Sequence, residues 1–198
     1  MTIPTAIVFD LDQTLFDRQQ ACDRWIASLD VSPSDRLRLR ELDHNGHGSR
    51  PEFFAAAEVA TGQAIDQKQF VLSLIRYVSL DPKLKLALQT LRQSYVLAIL
   101  TNGGVASQKA KLRALSLDEL FDSDRIFISD QIGFAKPDRR AFIFVSEALG
   151  LTAKECLYFG DQFGTDIVAA RSAGWMASQV SGPAGLHRQL NGIIEVSA

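Results

Sequence analysis

Five short apolar runs constrain the fold of this chain more than any other feature of its sequence. None of them alternates apolar with polar residues, and each is followed by polar or glycine-containing sequence. Such runs are typical of strands that are buried on both faces of a parallel sheet. The runs occupy residues 6–9, 95–100, 126–128, 157–159 and 175–177.

Helical patterns separate the later runs. Leu112 and Leu115 belong to one such pattern. Phe142 and Val145 belong to another, which ends at Gly150, a residue type that commonly follows helix C-termini. Strands that alternate with helices predict a doubly wound α/β fold with a parallel sheet.

A long segment without strand patterns interrupts this rhythm after the first run. It contains amphipathic stretches in which Trp25 and Ile26 share one apolar face, and Phe70 and Leu74 share another. No linker rich in proline or serine flanks it. We therefore expect an α/β core formed by residues 1–16 and 81–198, with a small inserted helical cap formed by residues 17–80.

The composition limits the partners of the protein. A formal net charge of −2 lacks the basic excess that binding to a nucleic acid polymer requires. No apolar segment is long enough to span a membrane, and no basic stretch precedes an apolar run at the N-terminus. We therefore expect a cytoplasmic protein that binds neither nucleic acid nor membrane. The sequence does not distinguish a monomer from a weak dimer.

Two aspartates directly follow the first predicted strand. Alternate residues of an extended segment point the same way, so Asp10 and Asp12 can face one site, with Thr14 close behind. Two neighbouring carboxylates repel each other unless a cation intervenes or one of them is protonated. The pair therefore suits either a divalent metal or a nucleophile with a general acid.

A second acidic pair follows the run at 157–159. Asp161 comes directly after Gly160, and Asp166 lies five residues further on, at a predicted helix start. Carboxylate oxygens are the hard ligands that Mg²⁺ prefers. Asp166 could instead serve as a helix N-cap, and the two roles are compatible.

Two further polar segments also follow predicted strands. A hydroxyl, an amide and glycine-exposed N–H groups at Thr101, Asn102 and Gly103 can bind an anion, although the same residues also suit a plain turn. Lys136, taken alone, suits a solvated surface. All four segments lie at the carboxyl ends of predicted parallel strands, where open α/β sheets bind their ligands. The sequence therefore predicts one site.

These motifs resemble those of the haloacid dehalogenase-like (HAD) hydrolase superfamily, and the match extends over residues 6–180. The helical insertion after the first motif resembles the cap of the subgroup that contains phosphoglycolate phosphatase-like and nucleotidase-like enzymes. The motifs occur in the order Asp10-x-Asp12-x-Thr14, Thr101-Asn102-Gly103, Lys136-Pro137 and Gly160-Asp161-x4-Asp166.

The resemblance implies a Rossmann-like core and a Mg²⁺-dependent phosphatase that acts on a small phosphorylated metabolite. Asp10 would attack phosphorus and become an aspartyl-phosphate, and Asp12 would be the general acid and base. The implied Mg²⁺ ligands are Asp10, Asp12 through its backbone carbonyl, Asp161 and Asp166. The implied phosphate-binding residues are Thr101, Asn102, Gly103 and Lys136.

Asp12 bears on which reaction the resemblance implies. The dehalogenases of the superfamily need no proton donor at this position, whereas phosphatases need an acid that lets an alkoxide leave. An aspartate at position 12 therefore favours cleavage of phosphate esters. Gln13 departs from the glycine that is more frequent there, and it would narrow the space beside the phosphate.

Substrate choice is expected to depend on residues in or near the cap. The candidates are Gln13, Phe16, His47 and Arg50, of which Arg50 could bind a carboxylate or a second phosphate of the substrate. Two alternatives to the phosphatase remain. A phosphoryl-transferring mutase would share every motif, and a non-enzymatic signalling or binding module would retain the phosphoryl group on its aspartate.

Overall fold

The computed structural model describes residues 3–197 and forms two compact units. One unit, called the α/β unit below, contains the chain up to Phe16 and from Leu80 onwards. The other, called the helical unit, is Asp17–Ser79. That the helical unit acts as a cap stays a prediction.

The α/β unit is built on a five-stranded, all-parallel sheet with the strand order β3-β2-β1-β4-β5. The central strand places Val8 opposite Ala98 on one side and Tyr158 on the other. The predicted α/β fold with a parallel sheet is confirmed. The strands are β1 Ala6–Phe9, β2 Val96–Thr101, β3 Ile126–Ile128, β4 Cys156–Gly160 and β5 Met176–Gln179.

Helices make up the helical unit and connect the strands of the α/β unit. No helix within residues 3–197 is long and apolar enough to cross a membrane. The helices are α1 Arg18–Ser28, α2 Pro33–Asp43, α3 Arg50–Thr61, α4 Gln67–Leu74, α5 Pro82–Leu91, α6 Val105–Ala114, α7 Ser129–Ile132, α8 Arg139–Ala148, α9 Ala169–Ser172 and α10 Gly182–Ser197.

Short polar side chains fix where several of these helices begin. In each case a side-chain oxygen accepts a hydrogen bond from a backbone N–H of the first turn, which otherwise has no partner within the helix. This local chemistry explains why helices start at these points of the chain. The capping residues are Asp17, Ser32, Ser49, Asp66, Asp81 and Asp138.

The central strand β1 is buried on both faces, as its unalternating apolar run predicted, whereas the edge strand β5 is only partly buried. Ala6 and Val8 pack in a cluster with Phe142 of α8, and Ile7 and Phe9 on the opposite face are also fully buried. A sheet covered on both sides exposes its polar groups only at its ends. The carboxyl ends of the strands are therefore where chemistry can occur.

The helical unit has its own aromatic core. The ring of Trp25 lies 5.0 Å from that of Phe70 and 5.9 Å from that of Phe53, measured between centroids. Phe53 is fully buried. Aromatic pairs at these distances and tilts stabilise a core beyond the area that they bury.

Candidate active site

The carboxyl ends of β1 and β4 bring two predicted site residues to the same edge of the sheet. Asp10 directly follows β1, and its backbone N–H donates to the carbonyl oxygen of Phe159 at 2.8 Å. Asp161 directly follows β4. Because β1 and β4 are adjacent and parallel, the two aspartates emerge side by side.

Asp166 completes an acidic cluster with these two residues. Carboxylate oxygens of Asp10, Asp161 and Asp166 all lie within 4.8 Å of one another. Asp166 lies inside a π-helical turn, Phe163–Val168, rather than ahead of a helix as an N-cap. Its Oδ2 accepts a hydrogen bond from the backbone N–H of Gln162 at 3.0 Å.

Gly160 is the residue that lets Asp166 approach the strand end. A Cβ atom at position 160 would lie 2.4 Å from Asp166 Oδ2, closer than any real contact of a Cβ. The motif therefore needs glycine at this position because any larger residue would displace the carboxylate of Asp166. Glycine is thus required at position 160 for steric reasons and not for its backbone flexibility.

Lys136 contacts two of the three carboxylates of the cluster and is only 5% exposed. Its Nζ donates to Asp10 Oδ1 at 2.8 Å, to Asp166 Oδ1 at 2.7 Å and to the Tyr158 hydroxyl at 2.6 Å. The Tyr158 hydroxyl in turn donates to the carbonyl oxygen of Leu100 at 3.0 Å. All three hydrogens of the ammonium group therefore have acceptors.

Negative charge exceeds positive charge in the cluster, and this affects the pKa values of its members. Burial raises the pKa of Asp10, contact with Lys136 lowers it and Asp166 raises it, with a net value of about 7. For Lys136, burial opposes the charge, but Asp10 and Asp166 outweigh it and raise the pKa. Burial and the neighbouring carboxylates raise the pKa of Tyr158 well above its usual value. Lys136 is therefore charged at neutral pH, whereas Asp10 is poised near its titration point.

Asn102 positions the backbone of Lys136. Its Nδ2 donates to the Lys136 carbonyl oxygen at 2.7 Å, and its Oδ1 accepts from the Lys136 backbone N–H at 2.9 Å. The side-chain amide thus joins the end of β2 to the segment that carries the lysine. The predicted contact of Asn102 with a phosphate stays a prediction.

Thr101 and Gly103, the other predicted phosphate-binding residues near Asn102, also have internal partners. Thr101 is buried, and its Oγ1 accepts from Gln108 Nε2 at 2.7 Å. Gly103 has a φ of 136°, a value that favours glycine, and its N–H donates to Ser129 Oγ at 2.9 Å. Their contact with a phosphate likewise stays a prediction.

Asp12 has partners that the sequence did not indicate. Lys111 Nζ lies 2.7 Å from Asp12 Oδ1 and 2.7 Å from Oδ2, and Gln108 Nε2 lies 3.1 Å from Oδ2. Gln108 and Lys111 are three residues apart on α6 and share one helix face. That spacing is the feature of the sequence that could indicate a shared role for the two residues. The sequence alone does not show which face of a helix meets the strand ends. The sequence likewise predicts Tyr158 only as a strand residue, although its hydroxyl contacts Lys136.

The predicted specificity residues lie in both units. Gln13 is partly buried with a φ of 61°, and Phe16 is fully buried; both belong to the α/β unit. In the helical unit His47 is exposed, and Arg50 Nη2 donates to Asp43 Oδ1 at 3.0 Å. The guanidinium of Arg50 thus has a structural partner within its own unit. The roles of all four residues in substrate choice stay predictions.

The chain is similar to proteins that are known as phosphatases. The chain is 27% identical over 195 residues to the glyceraldehyde 3-phosphate phosphatase of Methanopyrus kandleri, covering 88% of this chain and 83% of that protein. It is 29% identical over 192 residues to the phosphatase MT3486 of Mycobacterium tuberculosis, covering 87% of this chain and 85% of that protein.

The fold is also similar to that of the HAD-hydrolase YfnB from Bacillus subtilis, whose crystal structure has magnesium bound. The TM-score is 0.72 at 22% sequence identity, and the similarity covers 90% of this chain and 87% of YfnB. The model of the haloacid dehalogenase-like hydrolase family matches residues 4–174. The resemblance in the motifs is thereby confirmed, and the chain belongs to the haloacid dehalogenase-like hydrolases.

Proposed function

We propose that this hydrolase is a Mg²⁺-dependent phosphatase that cleaves a small phosphomonoester through a covalent phosphoryl group on Asp10. One observation carries the proposal. Asp10, Asp161 and Asp166 bring carboxylate oxygens within 4.8 Å of one another, and the buried ammonium group of Lys136 contacts Asp10 and Asp166. The phosphatase class is supported by the two relatives that bear that name over most of this chain.

The acidic cluster fits a divalent cation in both donor type and charge. Three carboxylates against one ammonium group leave two negative charges when all four groups are ionised. The donors are oxygens, which Mg²⁺ prefers. We propose that Asp10, Asp161, Asp166 and the backbone carbonyl of Asp12 hold the ion. When bound, Mg²⁺ would offset the repulsion between the Asp10 carboxylate and the phosphate.

In the first half of the proposed reaction, Asp10 acts as the nucleophile. A carboxylate oxygen of Asp10 forms a bond to phosphorus as the bond from phosphorus to the ester oxygen breaks. Asp12, in its protonated form, gives its proton to the departing oxygen, and the alcohol leaves. General acid catalysis of this kind contributes about 10²–10⁴-fold to a rate.

In the second half, water releases the phosphoryl group. The carboxylate of Asp12 takes a proton from the water as its oxygen attacks phosphorus, and the bond between phosphorus and Asp10 breaks. Inorganic phosphate leaves, Asp10 is a carboxylate again and Asp12 is again protonated. Both residues therefore return to their starting states within one turnover.

The buried Lys136 is proposed to keep Asp10 reactive and to bind a phosphoryl oxygen. Its ammonium group offsets negative charge next to the nucleophile and would do the same as charge spreads onto the transferring group. Thr101, Asn102 and the N–H of Gly103 are proposed to bind the remaining phosphoryl oxygens. This requires their present internal hydrogen bonds to be shared or exchanged when substrate binds.

The substrate is proposed to be a small phosphorylated metabolite. The phosphatase of Methanopyrus kandleri is named for glyceraldehyde 3-phosphate, a three-carbon phosphate ester. We therefore expect short sugar phosphates to rank high among substrates. Gln13, Phe16, His47 and Arg50 are the residues proposed to influence the ranking.

Phosphate release from a panel of esters tests the proposal. The panel contains sugar phosphates, nucleoside monophosphates, phosphoglycolate and an aryl phosphate, each assayed with Mg²⁺ and with a chelator. We expect release that requires Mg²⁺ and favours small aliphatic esters. Release that persists fully in the chelator would overturn the role given to the acidic cluster, and no release from any ester would overturn the function.

A further inference from the structure

We propose that Lys111 and Gln108 are positioning residues that hold the Asp12 carboxylate in the orientation required for proton transfer to the leaving oxygen. The proposal rests on the function proposed above and adds two residues to the site. Both lie on α6, outside the four motifs, and reach Asp12 from the helix that follows β2.

Lys111 sets the direction in which the Asp12 carboxylate points. Its Nζ is 2.7 Å from each carboxylate oxygen, so the ammonium group lies in front of the carboxylate and between its two oxygens. The lysine side chain is only 10% exposed, whereas that of Asp12 is 25% exposed. A charge-assisted contact with a mostly buried lysine restrains a carboxylate much more than a surface ion pair does.

Gln108 sets the rotation of the carboxylate about that direction. Its Nε2 contacts only one of the two oxygens, Oδ2, at 3.1 Å. The same nitrogen is 2.7 Å from Thr101 Oγ1 and 2.8 Å from the carbonyl oxygen of Asn102. An amide nitrogen has two hydrogens, so three acceptors share them and the longest contact is the weakest. Lys111 is therefore the stronger of the two restraints.

The arrangement joins the general acid to the proposed phosphate-binding segment. Gln108 is 2% exposed and contacts both Thr101 and Asn102, while Lys111 lies one helical turn further along the same face. The Asp12 carboxylate is thereby held at a fixed place relative to the residues proposed to bind the phosphoryl group. Such fixed placement is what proton transfer in a transition state requires.

Positioning of Asp12 by Lys111 and Gln108 has a specific kinetic consequence. The value of kcat/KM reports events up to departure of the alcohol, which is the step that uses Asp12 as an acid. An alkyl phosphate has a poor leaving group and needs that acid, whereas an activated aryl phosphate does not. Loss of positioning should therefore slow the alkyl ester selectively, whereas a general loss of folding or binding should slow both esters.

The experiment measures kcat/KM for one alkyl and one activated aryl phosphate in five proteins: wild type, Lys111→Met, Lys111→Arg, Gln108→Leu and Lys109→Met. We expect Lys111→Met to lose on the order of 10²-fold on the alkyl ester, the usual cost of a misplaced catalytic group, and under about 5-fold on the aryl ester. Lys111→Arg should recover most of the loss because a guanidinium group can also contact both oxygens.

Lys109→Met is the matched control. Lys109 is an exposed lysine two residues earlier on the same helix, and its removal should leave both esters within about 2-fold of wild type. Gln108→Leu should reproduce the selective loss at a smaller size, because it removes the weaker restraint. Equal losses on both esters in Lys111→Met, or no loss on either, would overturn the proposal.

Failure of the proposed function gives a different result. If the wild type cleaved neither ester, the proposed phosphatase function would be wrong. The orientation of the Asp12 carboxylate would then be measured directly. Crystal structures of wild type and Lys111→Met should show the Asp12 carboxylate in different orientations. An unchanged, well-ordered carboxylate in the variant would overturn the positioning role independently of activity.

Discussion

Each unit of the protein buries an ionic cluster, and the two clusters differ in the sign of their excess charge. In the α/β unit, Lys136 lies between the carboxylates of Asp10 and Asp166. In the helical unit, Asp43 lies between two guanidinium groups: it contacts Arg18 at 2.6 Å and Arg50 at 3.0 Å. One cluster therefore has more carboxylates than cations, and the other has more cations than carboxylates.

The pKa shifts follow this difference. Burial opposes ionisation of both Asp10 and Asp43. For Asp43, hydrogen bonds and charge from Arg18, with help from Arg50, outweigh burial and lower the pKa. For Asp10, Lys136 offsets burial only in part, and the pKa rises to about 7. The charge of Asp43 is thus fully compensated, whereas Lys136 compensates the charge of Asp10 only in part.

The comparison separates a structural cluster from a chemical one. The charge of a buried aspartate held by two arginines is fully compensated, and removal of one partner of such a cluster is strongly destabilising. A buried aspartate with incomplete compensation costs stability, and such residues concentrate at functional sites. Replacement of the aspartate by asparagine should therefore have opposite consequences in the two clusters.

The largest effect is expected for Asp10→Asn. The amide cannot form the acyl-phosphate, so kcat for the best substrate should fall by at least about 10⁴-fold. Circular dichroism is expected to show an unchanged fold. The matched variant Asp43→Asn, assayed where it remains folded, should lose far less activity. Near wild-type turnover by Asp10→Asn would contradict the covalent mechanism.

Asp43→Asn is expected to have the largest effect on stability. It removes the carboxylate to which Nη1 and Nη2 of the mostly buried Arg18 both donate, at 2.6 Å and 2.8 Å. We expect a loss of about 3–5 kcal/mol in the free energy of unfolding, measured by urea denaturation. A loss below about 1 kcal/mol would mean that the ionic cluster around Asp43 does not stabilise the fold.

Addition of Mg²⁺ should stabilise the wild type through the α/β cluster. At a Mg²⁺ concentration one hundred times Kd, linkage gives about 2.7 kcal/mol, visible as a raised Tm. Asp10→Asn and Asp166→Asn should show a clearly smaller gain, whereas Asp43→Asn should keep the full gain. A gain of equal size in all four proteins would place the ion elsewhere.

The smallest expected effect is a pH dependence of the free energy of unfolding of the metal-free protein. Because the pKa of Asp10 is raised from 3.8 to about 7, the folded state keeps a proton that the unfolded chain releases. Stability contributed by this group is therefore lost as pH rises from about 4 to about 7. The stability of Asp10→Asn minus that of wild type should rise by about 2.5 kcal/mol between pH 5 and pH 8.

Asp43 gives the opposite control for this pH dependence. Its pKa is lowered, so its contribution is complete above the usual aspartate range and is lost only in acid. The difference between Asp43→Asn and wild type should therefore stay constant between pH 5 and pH 8. A slope in this difference, or a flat response for Asp10→Asn, would contradict the assignment of charge states.

Much of the α/β unit could be predicted because its signals are local. A run such as residues 6–9 must be buried on both faces, and the observed β1 has the predicted bounds. The second strand was predicted to end at Leu100 but includes Thr101, because pairing to Ile128 of β3 extends it by one residue. The strand order could not be predicted, since it depends on contacts between distant segments.

The site was predictable where a motif combines residue type with strand position. The sequence predicts a single site that contains Asp10, Asp161 and Lys136, because the carboxyl ends of parallel strands share one edge of the sheet. Lys111 could not be predicted as part of it, because a lysine on an amphipathic helix usually reaches solvent and the sequence does not fix the rotation of the helix. The ion pair between Arg50 and Asp43 could not be predicted either, because it depends on how the helical unit folds; a role of Arg50 in substrate choice stays a prediction.

Direct detection of the phosphoryl group on Asp10 tests the central claim. The wild-type enzyme is quenched during turnover with Mg²⁺ and substrate, reduced with borohydride, which converts an acyl-phosphate to homoserine, and digested for mass spectrometry. We predict homoserine at position 10, dependent on both substrate and Mg²⁺, and none at Asp12, Asp161 or Asp166. Steady turnover without modification of Asp10, or with modification of another aspartate, would contradict the account.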